Sequence, residues 1–308
     1  MSNNLKLFLT SFIFVMFFCF IINIFQSNLE NFLISKKLEK NPPLPVSELL
    51  ANISYNPSEK TELEISAKSA ISMVINEKGE EKIIFKKNEN EKMEIASLTK
   101  LMTAVIASEF YKPDLEITIT KEAIDQPESF GGLKLGEKLN AQELIYFMLI
   151  ESSNDAAFAL TIPLKTPESF VGLMNLKAKE LKMEKSSFFN PTGLDGENTY
   201  SSNFSTVSDL AKLAKYIINK PLILDIISKK EYSINGHTLH NTNQLLGENP
   251  EIIGGKTGFT DEAGECLVLI LKNKEKEIYT LNVILGSENR YQDMEKLIDY
   301  GYAKYKYN

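Results

Sequence analysis

Few of the residues that most often announce a function are present in this chain. Only two cysteines occur, Cys19 inside an apolar run and Cys266 far downstream, so neither a disulfide framework nor a cysteine-rich metal site is implied. The histidines also number two, His237 and His240 in His-Thr-Leu-His, and no cysteine or carboxylate stands beside them at ligand spacing. They read as surface or turn residues, not metal ligands. No long basic run appears and the formal net charge is −7, which disfavours a nucleic-acid backbone as partner. What is present is bulk for a core, with 43% hydrophobic residues among 308.

Residues 7–25 form an apolar run of about 19 residues without a charge, long enough to cross a bilayer as a helix. A secretory signal has a shorter apolar region and a small-x-small cleavage site, and neither is evident before Gln26. An uncleaved anchor at residues 1–26 is therefore expected. Lys6 on one side and Lys36, Lys37 and Lys40 on the other leave its orientation unset. Residues 27–60 are mostly polar and contain Asn41-Pro42-Pro43-Leu44-Pro45, the composition of an extended stalk. The folded domain is expected over 61–308.

Within that domain, residues 65–76 and 82–85 flank a polar turn at Gly79 and predict a β-hairpin. Helical apolar spacing follows at 97–110, a short strand at 115–120, and helices at 140–150, 166–181 and 206–218. Asn140 is placed to cap its helix, and Thr206 with Asp209 reads as a capping box. Apolar runs at 266–271 and 278–285 predict a second hairpin, and Tyr291, Met294, Leu297, Ile298 and Tyr302 mark a last helix. Strands at both ends with helices between predict an α+β fold, an antiparallel sheet closed by early and late strands around an inserted helical region.

Three short strings carry possible chemistry. Ser97-Leu98-Thr99-Lys100 opens an apolar helical run, and residues three apart share a helix face, so a hydroxyl lies beside an amine. Ser152-Ser153-Asn154 falls at a break between two buried helices, where polar side chains enter a cleft or merely cap helix ends. Lys256-Thr257-Gly258 lies in a glycine-rich stretch bordering a late strand, and offers a cation and a hydroxyl to a carboxylate. A phosphate-binding loop is excluded because the glycine it needs at position 250 is proline.

Each string is weak alone, but S-x-x-K, S-x-N and K-T-G in that order form the signature of penicillin-recognising serine acyl transferases. The chain resembles the serine D-alanyl-D-alanine carboxypeptidases among low-molecular-mass penicillin-binding proteins. The resemblance extends through Phe189-Asn190-Pro191-Thr192-Gly193-Leu194-Asp195 and Asn241-Thr242-Asn243-Gln244, and covers about residues 67–302. It implies a β-lactamase/transpeptidase-like fold and a peptidoglycan stem peptide ending in D-Ala-D-Ala as substrate. Ser97 would be the nucleophile, Lys100 its base, Ser152 a proton relay and Asn154 an orienting residue. Lys256 and Thr257 would anchor the terminal carboxylate, Gly258 would admit the strand, and the backbone N–H groups of Ser97 and Phe259 would form the oxyanion hole. A model lysine pKa of about 10.4 is too high for a base at neutral pH, so burial and the nearby charge of Lys256 are expected to keep Lys100 partly neutral.

The same resemblance implies no metal or organic cofactor, covalent inhibition by β-lactams, and a catalytic domain outside the cytoplasmic membrane. Family members often continue into a small C-terminal β domain and an amphipathic membrane helix, and the N-terminal anchor is expected to replace that tether. Rival readings are a β-lactamase of the same fold, although no E-x-x-L-N segment follows S-x-N, a D,D-endopeptidase, and a non-catalytic membrane-anchored muropeptide-binding protein.

Overall fold

The computed structural model describes residues 63–128, 130–196, 202–273 and 275–306. The expected anchor at 1–26 and the stalk at 27–60 lie outside the described residues. In chain order the elements are β1 (Ser69–Ile75), β2 (Glu81–Lys87), β3 (Met93–Glu94), α1 (Thr99–Phe110), β4 (Glu116–Thr118), α2 (Lys121–Ile124), β5 (Lys138–Asn140), α3 (Ala141–Ile150), α4 (Asn154–Ala159) and α5 (Pro167–Glu180). Then follow β6 (Phe204–Ser205), α6 (Val207–Ile218), α7 (Pro221–Ser228), β7 (Glu231–Ile234), β8 (His237–His240), β9 (Ile252–Thr260), β10 (Gly264–Asn273), β11 (Ile278–Ser287) and α8 (Arg290–Lys306).

A five-stranded antiparallel sheet, in the order β2-β1-β11-β10-β9, joins the two ends of the domain as the strand pattern predicted. Both of its faces are covered, which is why β1 is buried along its whole length and reads as a near-continuous apolar run. On one face α8 lays Met294, Leu297 and Ile298 against Ala70, Leu267, Leu269 and Ile284. The helical region covers the other face. At its centre α1 is buried from Thr99 to Ala107, so even its polar side chains must find partners inside the protein.

Asp293, in the first turn of α8, ties that helix to the start of the sheet. Its carboxylate accepts from the Ser66 and Ala67 N–H groups at 3.0 and 2.8 Å and from the Ser66 and Ser287 hydroxyls, each at 2.6 Å. These donors outweigh burial and hold its pKa below the ordinary 3.8. A carboxylate lowered in this way stabilises the fold above its unfolded-state pKa and loses that contribution as pH falls through the folded value. Asp293→Asn is expected to cost about 2 kcal/mol at pH 7, with the gap from wild type closing as pH falls below the ordinary 3.8, measured by urea denaturation across pH.

Several local expectations are met and others corrected. Asn140 caps α3 in a full capping box, accepting from Glu143 N–H at 2.9 Å while Glu143 accepts from Asn140 N–H at 2.7 Å. Thr206 caps α6 through Asp209 N–H, but the buried Asp209 carboxylate accepts from Lys185 N–H and the Ser186 hydroxyl, so that box is only half formed. His237 and His240 lie in strand β8, His240 exposed at the surface and His237 half-buried. His237 Nε2 meets Glu137 Oε1 at 3.0 Å, its ring edge-on to Phe147. Among the described residues no helix is long and apolar enough to cross a membrane, and no group of three or more His, Cys, Asp or Glu is gathered for a metal.

Candidate active site

The three strings converge. A cleft of about 400 Å³ is lined by Ser97, Ser152, Asn154, Thr257, Gly258 and Phe259, with Lys100 and Lys256 buried behind its wall. Ser97 lies in a 3-10 turn, Ala96–Leu98, that leads directly into α1, and it is half-buried. Lys100, one turn on, is fully buried, as is Lys256 on β9.

The surroundings of Lys100 state its chemistry. Its Nζ lies 2.8 Å from Ser97 Oγ, 2.7 Å from Asn154 Oδ1 and 2.5 Å from the Thr192 carbonyl oxygen. Two of these partners can only accept, because the Asn154 amide nitrogen donates to the carbonyls of Pro127 and Glu128 at 2.8 and 3.1 Å and so fixes Oδ1 toward the lysine. A neutral amine has two N–H donors and one lone pair, which match two acceptors and one hydroxyl. Burial above all, then repulsion by Lys256, drives the Lys100 pKa well below 10.5, while Glu128 opposes them. Both causes are the expected ones, and desolvation is the larger.

Lys256 Nζ donates to Ser152 Oγ at 2.9 Å and to the Thr257 carbonyl at 3.0 Å. Burial and the positive charge of Arg290 bring its pKa down to about 7. Lys100 is the lysine that loses its proton first, because the repulsion between the two falls on it in addition to its own burial. Once neutral it no longer repels Lys256. The string Ser152-Ser153-Asn154 divides its labour: Ser152, held at φ +64, and Asn154 face the site, whereas Ser153 caps α4 by accepting from Ala156 N–H at 3.2 Å.

Close backbone approach explains the glycines. A Cβ on Gly258 would stand 3.0 Å from the Ile95 carbonyl and 3.2 Å from Leu98 N, so a bare strand is what lets β9 press against the Ser97 turn. Gly193, at φ +86, crosses even nearer, where a Cβ would lie 2.0 Å from the Ala96 carbonyl oxygen. β9 is the edge of the sheet, and its side chains from Thr257 to Thr260 border the cleft. Phe259 is 54% exposed there.

Four contributors escaped the sequence reading. Thr192 acts through its backbone carbonyl, which leaves no side-chain signature. Thr242 shares a hydroxyl contact of 2.6 Å with Thr257. Asn203 braces the wall opposite, donating to Thr99 Oγ1 at 2.9 Å and accepting from Phe189 and Asn190 N–H. Arg290 is the only arginine of the chain, a signal that composition did carry. Its Nη1 donates to the Gly258 carbonyl at 2.8 Å and its Nε pairs with Glu265 at 3.2 Å, placing positive charge behind the Lys256 end of the cleft.

The arrangement is a hydroxyl beside a desolvated amine, with cations at the far end, in a cleft suited to an anionic peptide terminus. Comparison with known proteins agrees. A model of the D-alanyl-D-alanine carboxypeptidase family matches residues 56–289. The chain is 32% identical over 260 residues to D-alanyl-D-alanine carboxypeptidase DacF of Bacillus subtilis (strain 168), covering 80% of this chain and 64% of that one. It is 37% identical over 198 residues to a D-alanyl-D-alanine endopeptidase of Haemophilus influenzae, 62% of this chain and 66% of that one. Penicillin-binding protein D2 of Listeria monocytogenes, in its cefotaxime-bound form, has the same α+β fold, with a TM-score of 0.69 at 32% identity over 78% of this chain and 98% of that one. The chain spans about three-fifths of the length of the curated carboxypeptidases it matches.

Proposed function

We propose that this chain, which belongs to the D-alanyl-D-alanine carboxypeptidase family, removes the terminal D-alanine from peptidoglycan stem peptides through an acyl-enzyme on Ser97. The observation that carries this reading is the fully buried Lys100 amine 2.8 Å from Ser97 Oγ, placed to take its proton. Ser97 Oγ attacks the carbonyl between the two D-alanines as its proton passes to Lys100. The tetrahedral oxyanion forms where the Ser97 turn meets β9, toward the backbone N–H groups of Ser97 and Phe259. Ser152, bridged to Lys256, hands its proton to the leaving amine and takes in exchange the proton that Lys100 removed from Ser97, so Lys100 is neutral again. Water then attacks the ester with Lys100 again as base, and the tetrapeptide leaves.

In this reading Lys256 and Thr257 bind the free carboxylate of the substrate, with Arg290 reinforcing the potential behind them. A carboxylate against Lys256 restores its ammonium form, and that charge lowers the proton affinity of Lys100 further. Substrate binding thus prepares the base. β-Lactams acylate Ser97 by the same route. Residues 7–25 anchor the chain in the cytoplasmic membrane, a proposal resting on their uncharged apolar length, and the domain stands on the outer side because the proposed substrate lies there.

A D,D-endopeptidase is the second reading, favoured by the Haemophilus influenzae relative of that name. Incubation with peptidoglycan fragments rich in pentapeptides and cross-linked dimers separates the two by mass spectrometry. Pentapeptides are expected to lose one D-alanine while dimers persist. Cleaved dimers with intact pentapeptides would replace carboxypeptidase by endopeptidase, and no change in either would refute both.

A further inference from the structure

The charges lining the cleft are unevenly spent. Arg290 and Glu265 answer each other, and Lys256 serves the carboxylate end. Glu128 also lines the cleft, and among the described residues its carboxylate makes no hydrogen bond and no ion pair. Its backbone is nonetheless held firmly at φ +52, with its carbonyl and that of Pro127 accepting from the Asn154 amide. The amide that orients Lys100 therefore also fixes where Glu128 stands. Phe130, 60% exposed, lies two residues on and lines the same cleft.

A substrate with its terminal carboxylate on Lys256 and Thr257 and its scissile carbonyl at Ser97 has its preceding residues still to place, and the wall formed by Asn154, Glu128 and Phe130 lines the same cleft. About 7 Å of extended chain spans two residues. We infer that Glu128 selects stem peptides carrying a free side-chain ammonium on the residue that precedes D-Ala-D-Ala, with the aliphatic stem of that side chain lying along Phe130. This rests on the function proposed above. An independent cost supports it: the Glu128 charge favours the protonated form of Lys100, against burial and Lys256. An ammonium paired with Glu128 cancels that opposition, so the selected substrate also frees the base.

The test compares two tripeptides, Nα-acetyl-L-Lys-D-Ala-D-Ala with its ε-ammonium free and the same peptide with that amine acetylated. For wild type kcat/KM is expected to favour the free amine about fivefold, the upper range for an exposed ion pair. Raising the salt from about 0.05 to 0.5 M should shrink the ratio. Glu128→Gln should bring the ratio to about one, and Glu128→Lys should invert it. A wild-type ratio of one, or a ratio that survives in Glu128→Gln, overturns the inference. Release of D-alanine from neither peptide by wild type instead overturns the proposed function, so the two failures are told apart.

Discussion

Lys100→Ala is expected to lower the rate of Ser97 acylation by on the order of 10⁴-fold, read as the rate of labelling by a fluorescent penicillin. The serine keeps its place on the turn but loses the acceptor at 2.8 Å, and no other described side chain reaches its hydroxyl. Ser97→Ala should remove the label outright, and the double variant should be no worse than Ser97→Ala, because residues acting on one proton transfer are not additive. Lys100→Met, which fills the same buried space without an amine, guards against a folding defect. Labelling at near wild-type rate in that variant, with its circular dichroism intact, would show that another group is the base.

The pH profile follows from the same two lysines. Catalysis requires Lys100 neutral and Lys256 cationic. The acid limb of kcat/KM marks protonation of Lys100, whose pKa is driven well below 10.5. The alkaline limb marks loss of the Lys256 proton, at about 7 in the free enzyme. In kcat that limb should move upward, since a bound carboxylate retains the Lys256 proton.

Gly193→Ala should be the most damaging change away from the reacting groups. Its methyl would sit 2.0 Å from the Ala96 carbonyl oxygen, 2.4 Å from the Ala96 carbonyl carbon and 2.9 Å from Ser97 N, at a φ of +86. The loss is expected to reach about 3 kcal/mol or more, and the melting temperature to fall by about 6–12 °C in calorimetry. Whatever folds should acylate poorly, since the backbone that moves is the one carrying Ser97. Gly136→Ala separates strain from collision: its φ is +79 but nothing lies within 4 Å, so it should cost only about 1 kcal/mol. Equal losses in the two variants would show that the clash has no effect.

How much of this was legible in the sequence depends on whether a contact is carried by a side chain. Ser97 and Lys100 are local neighbours, so their spacing alone forecast the pair. The apolar runs of β10 and β11 and the helical spacing of α8 were equally plain, because burial imposes their composition. β9 was different. With Gly254, Gly255 and Gly258 its propensity is that of a turn, and it forms a strand only because β10 on one side and the Ser97 turn and α7 on the other demand a bare backbone. The β7–β8 hairpin was missed although Asn235-Gly236, both at positive φ, is a strong hairpin signal. Glu128 gave no sign at all, since a carboxylate on a loop gains meaning only from the cleft it faces.

The nucleophile and its base lie three positions apart, but their tuning partners do not. Asn154 is 54 residues from Lys100, Thr192 is 92, and Lys256 is 104 from the Ser152 it bridges. β9 reaches the sheet through β10 and β11, and β11 pairs with β1 more than 200 residues back along the chain, so the cleft is closed by contacts of high contact order. The hydroxyl and amine are a local pair, whereas the grip on a peptide terminus exists only where the two ends of the domain are joined. Activity therefore reports that closure.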